Sequence, residues 1–198
     1  MNFPRSPELL SAGASALVVI DVQERLLPAM RDGEGLVANI RRLLEGAAVL
    51  GVSTSATEQN PAKLGPTVSP LMELSPVRHA KMAFSAAECS ELLAAWNAAE
   101  IRQVVLCGIE AHVCVLQSTL DFLAMGYEVH IVCDAVSSRN QHDHDVALAR
   151  LASSGATITT TEAVLFEWCA TADRPEFKAI SALVKTREGD APRSQSRN

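Results

Sequence analysis

Three side chains stand where a strand pattern stops, and together they could do covalent chemistry. Asp21 follows the apolar run Ala16 to Ile20. A carboxylate placed there is expensive to desolvate, so it has to be paired, hydrogen-bonded or functional. A helix or turn cap is the competing reading, and pattern alone does not separate the two. Cys114 comes after Val-Val-Leu-Cys-Gly, in Gly108-Ile109-Glu110-Ala111-His112-Val113-Cys114, where strand gives way to helix. Unpaired amides and the dipole of a helix start favour thiolate over thiol, the form a cysteine nucleophile needs. Against this stands the inert small hydrophobe, which is the reading adopted for Cys107 and Cys133 inside buried-strand patterns, and for Cys89 and Cys169. Lys81, in Arg78-His79-Ala80-Lys81-Met82-Ala83-Phe84, is flanked by small and apolar residues. It reads either as a half-buried ammonium or as a surface lysine laying its stem over an apolar patch. His142-Asp143-His144-Asp145 has the residue types of metal ligands. It opens a helix, however, where adjacent side chains diverge and Asp143 reads as a cap, so no metal is expected there.

The elements that must position these groups are legible as short β-branched runs alternating with helical patterns. Ala16–Val22, Val52–Thr57, Gln103–Gly108, Glu128–Asp134 and Thr157–Thr160 read as strands, with Val77–Lys81 as a further one. Continuous apolar runs of this kind suit strands covered on both faces, hence a parallel sheet. Leu36–Leu50, Ala87–Ala99, His112–Met125 and Asp143–Ser153 read as helices, the first ending at Gly51, the third at Gly126 and the last before Gly155. In the last of these Val146, Leu148, Leu151 and Ala152 form the expected apolar face. The fold class implied is α/β: three layers, a mostly parallel doubly wound sheet flanked by helices. In such sheets ligands bind beyond the carboxyl ends of the strands, which is where Asp21 and the Cys114 segment lie. Glu58–Pro70 reads as a long loop able to carry site residues. Packing is the expected role of Phe166 and Trp168.

Composition narrows the function classes. With 198 residues, 48% hydrophobic, the chain suits one core, read as a domain over residues 1–186 followed by a polar, disordered tail at 187–198. The net charge is -6 and the 17 basic residues are scattered, which argues against a nucleic-acid partner. No apolar run is long enough for a membrane span, and Asp21 interrupts the first one, against a signal peptide. Five cysteines without a CxxC pair suit free thiols in a cytoplasmic setting.

Val18-Val19-Ile20-Asp21-Val22-Gln23, the Lys81 segment and Cys107–Val115 together resemble, in order and spacing, the three signature elements of the isochorismatase-like cysteine hydrolase family. That family groups isochorismatases, nicotinamidases and N-carbamoylsarcosine amidases, and the likeness runs from about Ala16 to Lys185. Thr57–Pro61, Leu64–Val68 and Asp134–Arg139 resemble its isochorismatase domain-containing branch. The resemblance implies that Cys114 attacks an amide carbonyl to form a thioester, that Asp21 carries the proton from thiol to leaving group, and that Lys81 holds Asp21 and lends positive charge. It also implies a non-proline cis peptide between Ile109 and Glu110, with amides near Val113 and Cys114 aimed at the oxyanion. Nicotinamidases carry an Asp-x-His metal motif where this chain has Glu58-Gln59-Asn60, so neither metal nor other cofactor is expected. Glu58, Gln59, His112 and Arg139 are candidates for the pocket wall; solvated loop positions, and for His112 a place in the first helical turn, are their competing readings. A small-molecule substrate and a homo-oligomer, dimer or tetramer, are expected. Two alternatives stay open: vinyl ether cleavage of isochorismate by acid catalysis at the Asp, which in the family can dispense with the Cys, and a silent binding or scaffold protein that keeps the fold.

Overall fold

Runs of β-branched and small apolar residues, too short for helices, become six strands: β1 (Ser15–Ile20), β2 (Ser53–Gln59), β3 (Arg78–Lys81), β4 (Gln103–Ile109), β5 (Glu128–Ser137) and β6 (Thr157–Thr159). The structure is a computed structural model and describes residues 4–185; the tail expected at 187–198 lies outside the described residues. All strands pair in parallel, in the order β3-β2-β1-β4-β5-β6. Every residue of β1 and β4 is buried, which is why neither shows polar alternation.

Helices cover both faces: α1 (Gly33–Leu50), α2 (Pro61–Leu64), α3 (Ser69–Met72), α4 (Ser90–Ala98), α5 (Leu116–Ala124), α6 (Gln141–Ser153), α7 (Thr161–Cys169) and α8 (Phe177–Lys185). Period two in β1 divides the core. Leu17 and Val19 face α1, α7 and α8, joining Leu43, Ala47, Leu165 and Ile180. Ala16, Val18 and Ile20 face α4, α5 and α6, joining Trp96, Phe122 and Leu151. Among the described residues no helix is long and apolar enough to cross a membrane, and all five cysteines are free.

Several expectations are corrected. The stretch Glu58–Pro70 is not one long loop: Glu58 and Gln59 complete β2, and α2 and α3 each begin with proline in the first turn, where its missing N–H is harmless. Asp143 is not the cap of α6; Asn140 is, and Asp143 accepts its side-chain amide at 3.1 Å from within the first turn. The buried stripe of α6 is Ala147 and Leu151, four apart, which turns Val146 out to 52% exposure. Cys133 is half-buried because β5 bulges there: Leu106 pairs with Ile131 but Gly108 with Val136, so the intervening residues leave the ladder. The bulge carries Asp134 to the start of α7, where its Oδ1 accepts the Thr161 amide (2.8 Å) and hydroxyl (3.0 Å). Trp168 is packed as expected, whereas Phe166 is 38% exposed and leans on Phe177.

Candidate active site

Strand order reverses between β1 and β4, so the chain leaves their carboxyl ends in opposite directions and a crevice opens there. Asp21 sits at that point, its backbone left-handed at φ 51°, a conformation aspartate tolerates better than most residues. Beside it Gly108 pairs with Ile20 at φ 113°, and a Cβ on Gly108 would lie 2.1 Å from the Ile20 carbonyl oxygen. Glycine is what lets β4 close on β1 at the crevice. The Ile109–Glu110 peptide that follows is cis, and Ala111–Val115 forms a π-helical turn leading into α5.

Lys81 ends β3, in register with Gln59 of β2. Asp21 is two strands away, roughly 10 Å across the sheet at the usual strand spacing, and the long lysine stem bridges it. Lys81 Nζ donates to Asp21 Oδ2 at 2.6 Å, Gln59 Oε1 at 2.7 Å, the Phe84 carbonyl at 3.1 Å and the Ala83 carbonyl at 3.4 Å. Asp21 Oδ1 accepts the Thr57 hydroxyl at 2.7 Å. Both charged side chains are fully shielded from solvent, so Lys81 is neither half-buried nor a surface snorkel. Desolvating such a pair is unfavourable, and it is tolerable only where further hydrogen bonds occupy the remaining donors and lone pairs, as they do here.

Cys114 completes the cluster from the π-helical turn, 6% exposed, its thiol feeling the Asp21 carboxylate and the Lys81 ammonium through both charge and side-chain hydrogen bonding. Burial pushes the thiol up to about 12; the Asp21 carboxylate adds to this and Lys81 opposes it. This corrects the expectation that the helix start yields a ready thiolate. A helix terminus is worth about 0.3–1 kcal/mol, too little against desolvation. The turn also engages its own amides: Val113 N–H and Val115 N–H both donate to the Glu110 carbonyl, at 3.0 and 3.2 Å. The Val113 N–H is therefore not free for an oxyanion. At rest Cys114 is a thiol, and a thiolate forms only by giving up its proton. Alkylation of Cys114 by iodoacetamide is accordingly expected to be slow near neutrality and to rise about tenfold per pH unit without levelling off below pH ~10. Peptide mass spectrometry across that range checks it, and a plateau near pH 7 would mean a preformed thiolate.

The other candidates separate. Gln59 belongs to the Lys81 cluster, donating its own Nε2 to the Met82 carbonyl at 2.7 Å. Glu58 is engaged elsewhere, its Oε1 accepting the Thr67 amide and hydroxyl at 2.8 Å with Arg78 Nε 3.8 Å away. Arg139, 60% exposed in its side chain, is held by Glu110 Oε2 at 3.0 Å. His112 Nδ1 lies 3.0 Å from Ser138 Oγ, in the π-helical turn. Among the described residues no three His, Cys, Asp or Glu side chains are placed to hold a metal ion. Two open cavities, about 730 Å³ along α1 and about 340 Å³ beside β5, are lined by none of Asp21, Lys81 and Cys114.

Sequence reasoning missed Thr57 and Gln23 as site residues. Gln23 is wholly buried, its Oε1 accepting the Gln59 amide at 2.8 Å and its Nε2 donating to the Gln59 and Gly65 carbonyls at 3.1 and 2.6 Å. A buried amide two residues beyond Asp21 was the available signal.

The profile of the isochorismatase domain matches residues 15–163. Isochorismatase domain-containing protein 2 of Danio rerio is 41% identical over 175 residues, covering 88% of this chain and 89% of that protein. Isochorismatase domain-containing protein 1 of Danio rerio is 40% identical over 181 residues, covering 89% of this chain, which spans only 62% of that relative's length. Among solved structures, MAR1 ribonuclease from Caenorhabditis elegans superimposes with a TM-score of 0.84 at 34% identity, covering 96% of this chain and 99% of that one. The YcaC gene product of Escherichia coli, described as an octameric hydrolase of unknown specificity, has the same fold, with a TM-score of 0.83 at 23% identity and 91% coverage of each chain.

Proposed function

The chain belongs to the isochorismatase family, and from that premise we propose that it is a metal-independent cysteine hydrolase cleaving the C–N bond of a small amide through a Cys114 thioester. The observation that carries this reading is the fully buried Lys81–Asp21 ion pair facing the Cys114 thiol at the sheet's switch point. A buried carboxylate beside a protonated thiol is a proton acceptor waiting for an electrophile. Asp21 takes the S–H proton as Cys114 Sγ bonds to the amide carbon, and the carbonyl electrons move to oxygen. On collapse the C–N bond breaks and Asp21 delivers its proton to the departing nitrogen, leaving a thioester. Water then attacks, giving a proton to Asp21; the C–S bond breaks, the acid leaves, and the proton returns to sulfur. Lys81 holds Asp21 and offsets the negative charge that builds on sulfur and oxygen.

The metal-free part of the reading is supported by Glu58 and Asn60, which stand at the two ligand positions of the nicotinamidase Asp-x-His motif. Glu58 is committed to the Thr67 amide and hydroxyl, and an asparagine amide stands at position 60 in place of the imidazole. Association into a homo-oligomer is part of the reading, supported by the octamer described for the bacterial neighbour.

The test is ammonia or amine release across a panel of small amides, with rapid acid quench and intact-mass detection of an acyl adduct mapped to Cys114. Isochorismate and an RNA oligonucleotide are run in parallel, the latter because the nematode neighbour is named a ribonuclease. Amide turnover with an adduct on Cys114 is the expected result. Turnover confined to isochorismate or RNA overturns the proposal.

A further inference from the structure

The Lys81 ammonium carries three protons, and two of its four acceptors are carbonyls of the exposed loop Met82–Phe84 that follows β3. Apolar packing does not hold that loop, since Met82 is 66% and Phe84 51% exposed. Its backbone is held instead. Glu88 Oε2 accepts the Met82 amide at 2.7 Å and the Ala83 amide at 2.8 Å. The Met82 carbonyl accepts Gln59 Nε2, and Gln59 Oε1 is itself on Lys81. Beyond the loop the chain is pinned by the Ala86 amide on buried Ser118 Oγ at 2.8 Å.

We propose that Glu88 is a positioning residue: one carboxylate oxygen clamps two amides of the 82–84 loop and so fixes the carbonyls that hold Lys81 against Asp21. Glu88 makes no hydrogen bond to Asp21 or Cys114; its hold on the loop is its main link to the site, with a smaller direct charge interaction with Lys81 beside it. The inference rests on the role given to Lys81 above. The two amides, Ala83 first and Met82 next, also keep the Glu88 carboxyl below the usual carboxylate range, so the clamp stays ionised near neutrality. A neutral side-chain oxygen could still accept the same two N–H groups, which separates clamping from a mere charge effect.

Glu88→Ala frees both amides to water, lets the carbonyls drift and loosens Lys81. A misplaced catalytic group is costly, so kcat is expected to fall by about tenfold or more with KM little changed. Lys81 is the group that opposes the burial-driven rise of the Cys114 thiol, so iodoacetamide labelling of Cys114 at fixed alkaline pH should slow by about threefold or more. Glu88→Gln, whose amide oxygen can take both N–H donors, should stay within about threefold of the parent in both measurements. Labelling needs no substrate, so a failed substrate search leaves this test intact and distinguishes loss of the clamp from loss of the hydrolase reading. Parental Cys114 labelling in Glu88→Ala overturns the proposal. So does a Glu88→Gln variant as impaired as Glu88→Ala, because the charge rather than the clamp would then be acting.

Discussion

Cys114→Ala is expected to lower amide turnover by on the order of 10⁴-fold or more, the scale seen when a covalent nucleophile is removed. The protein should stay folded. Cys114 is buried, but deleting one sulfur leaves a small void and costs about 1 kcal/mol, which a urea unfolding curve on the variant checks. Cys114→Ser should fail nearly as completely, because its hydroxyl is a far poorer nucleophile in the same place. Retained amide turnover in Cys114→Ala would sink the thioester mechanism. If the alanine variant instead kept isochorismate cleavage while Asp21→Asn lost it, acid catalysis by Asp21 would replace the amidase. The same substitution has a signature in stability. The folded thiol is raised from 9.0 to about 12, so the folded state binds that proton more tightly than the unfolded chain does. Its stabilisation is complete below pH ~9 and is lost as pH rises toward about 12. Cys114→Ala should therefore lose less stability than the parent over that alkaline window.

The strands were the legible part of the fold, because burial on both faces left β1 and β4 as unbroken apolar runs. Helix α1 was equally clear from Leu36, Ile40, Leu43, Leu44 and Ala47 and from Gly51, which caps it at φ 72°. Besides the short α2 and α3 inside the expected loop, the longer helices α7 and α8 were missed. In α7 the residues Val164, Leu165, Trp168 and Cys169 are buried on more than one side, so no clean polar stripe marks the helix, and Thr160, read as the end of a strand, is its cap. In α8 a signal was present: Phe177, Ile180, Leu183 and Val184 repeat at helical spacing, and Ile180 is fully buried.

At the site, the positions were legible and the energetics were not. Strand ends located Asp21 and Lys81, and a turn into a helix located Cys114. Whether Lys81 faces water or Asp21 depends on β2 lying between β3 and β1 with Gln59 opposite Lys81, a register that residue pattern does not encode. The sign of the Cys114 shift was misread for a related reason: the helix terminus is visible in sequence, whereas the burial of the sulfur is a tertiary property. Thr57 and Gln23 were present in the quoted motifs, but only the folded sheet brings their side chains to Asp21 and Gln59.

Lys81→Met should be the most damaging single substitution for stability, at about 3–5 kcal/mol, because it strands a buried carboxylate with no counter-charge, only the Thr57 hydroxyl and the Cys114 thiol beside it. Urea unfolding of the variant and the parent checks it, and a deficit below about 1 kcal/mol would show that the Asp21 carboxylate does not depend on Lys81. The double variant Asp21→Asn with Lys81→Met sharpens the point. Asparagine tolerates the left-handed backbone at position 21 and can still accept the Thr57 hydroxyl, while methionine fills the lysine channel with an apolar stem. Stability should return to within about 1 kcal/mol of the parent, and turnover should not return at all. A pair whose removal as a unit spares the fold but abolishes chemistry is kept in place by function. Should the double variant be as unstable as Lys81→Met alone, the ion pair would instead be part of what holds β1 and β3 in register across β2.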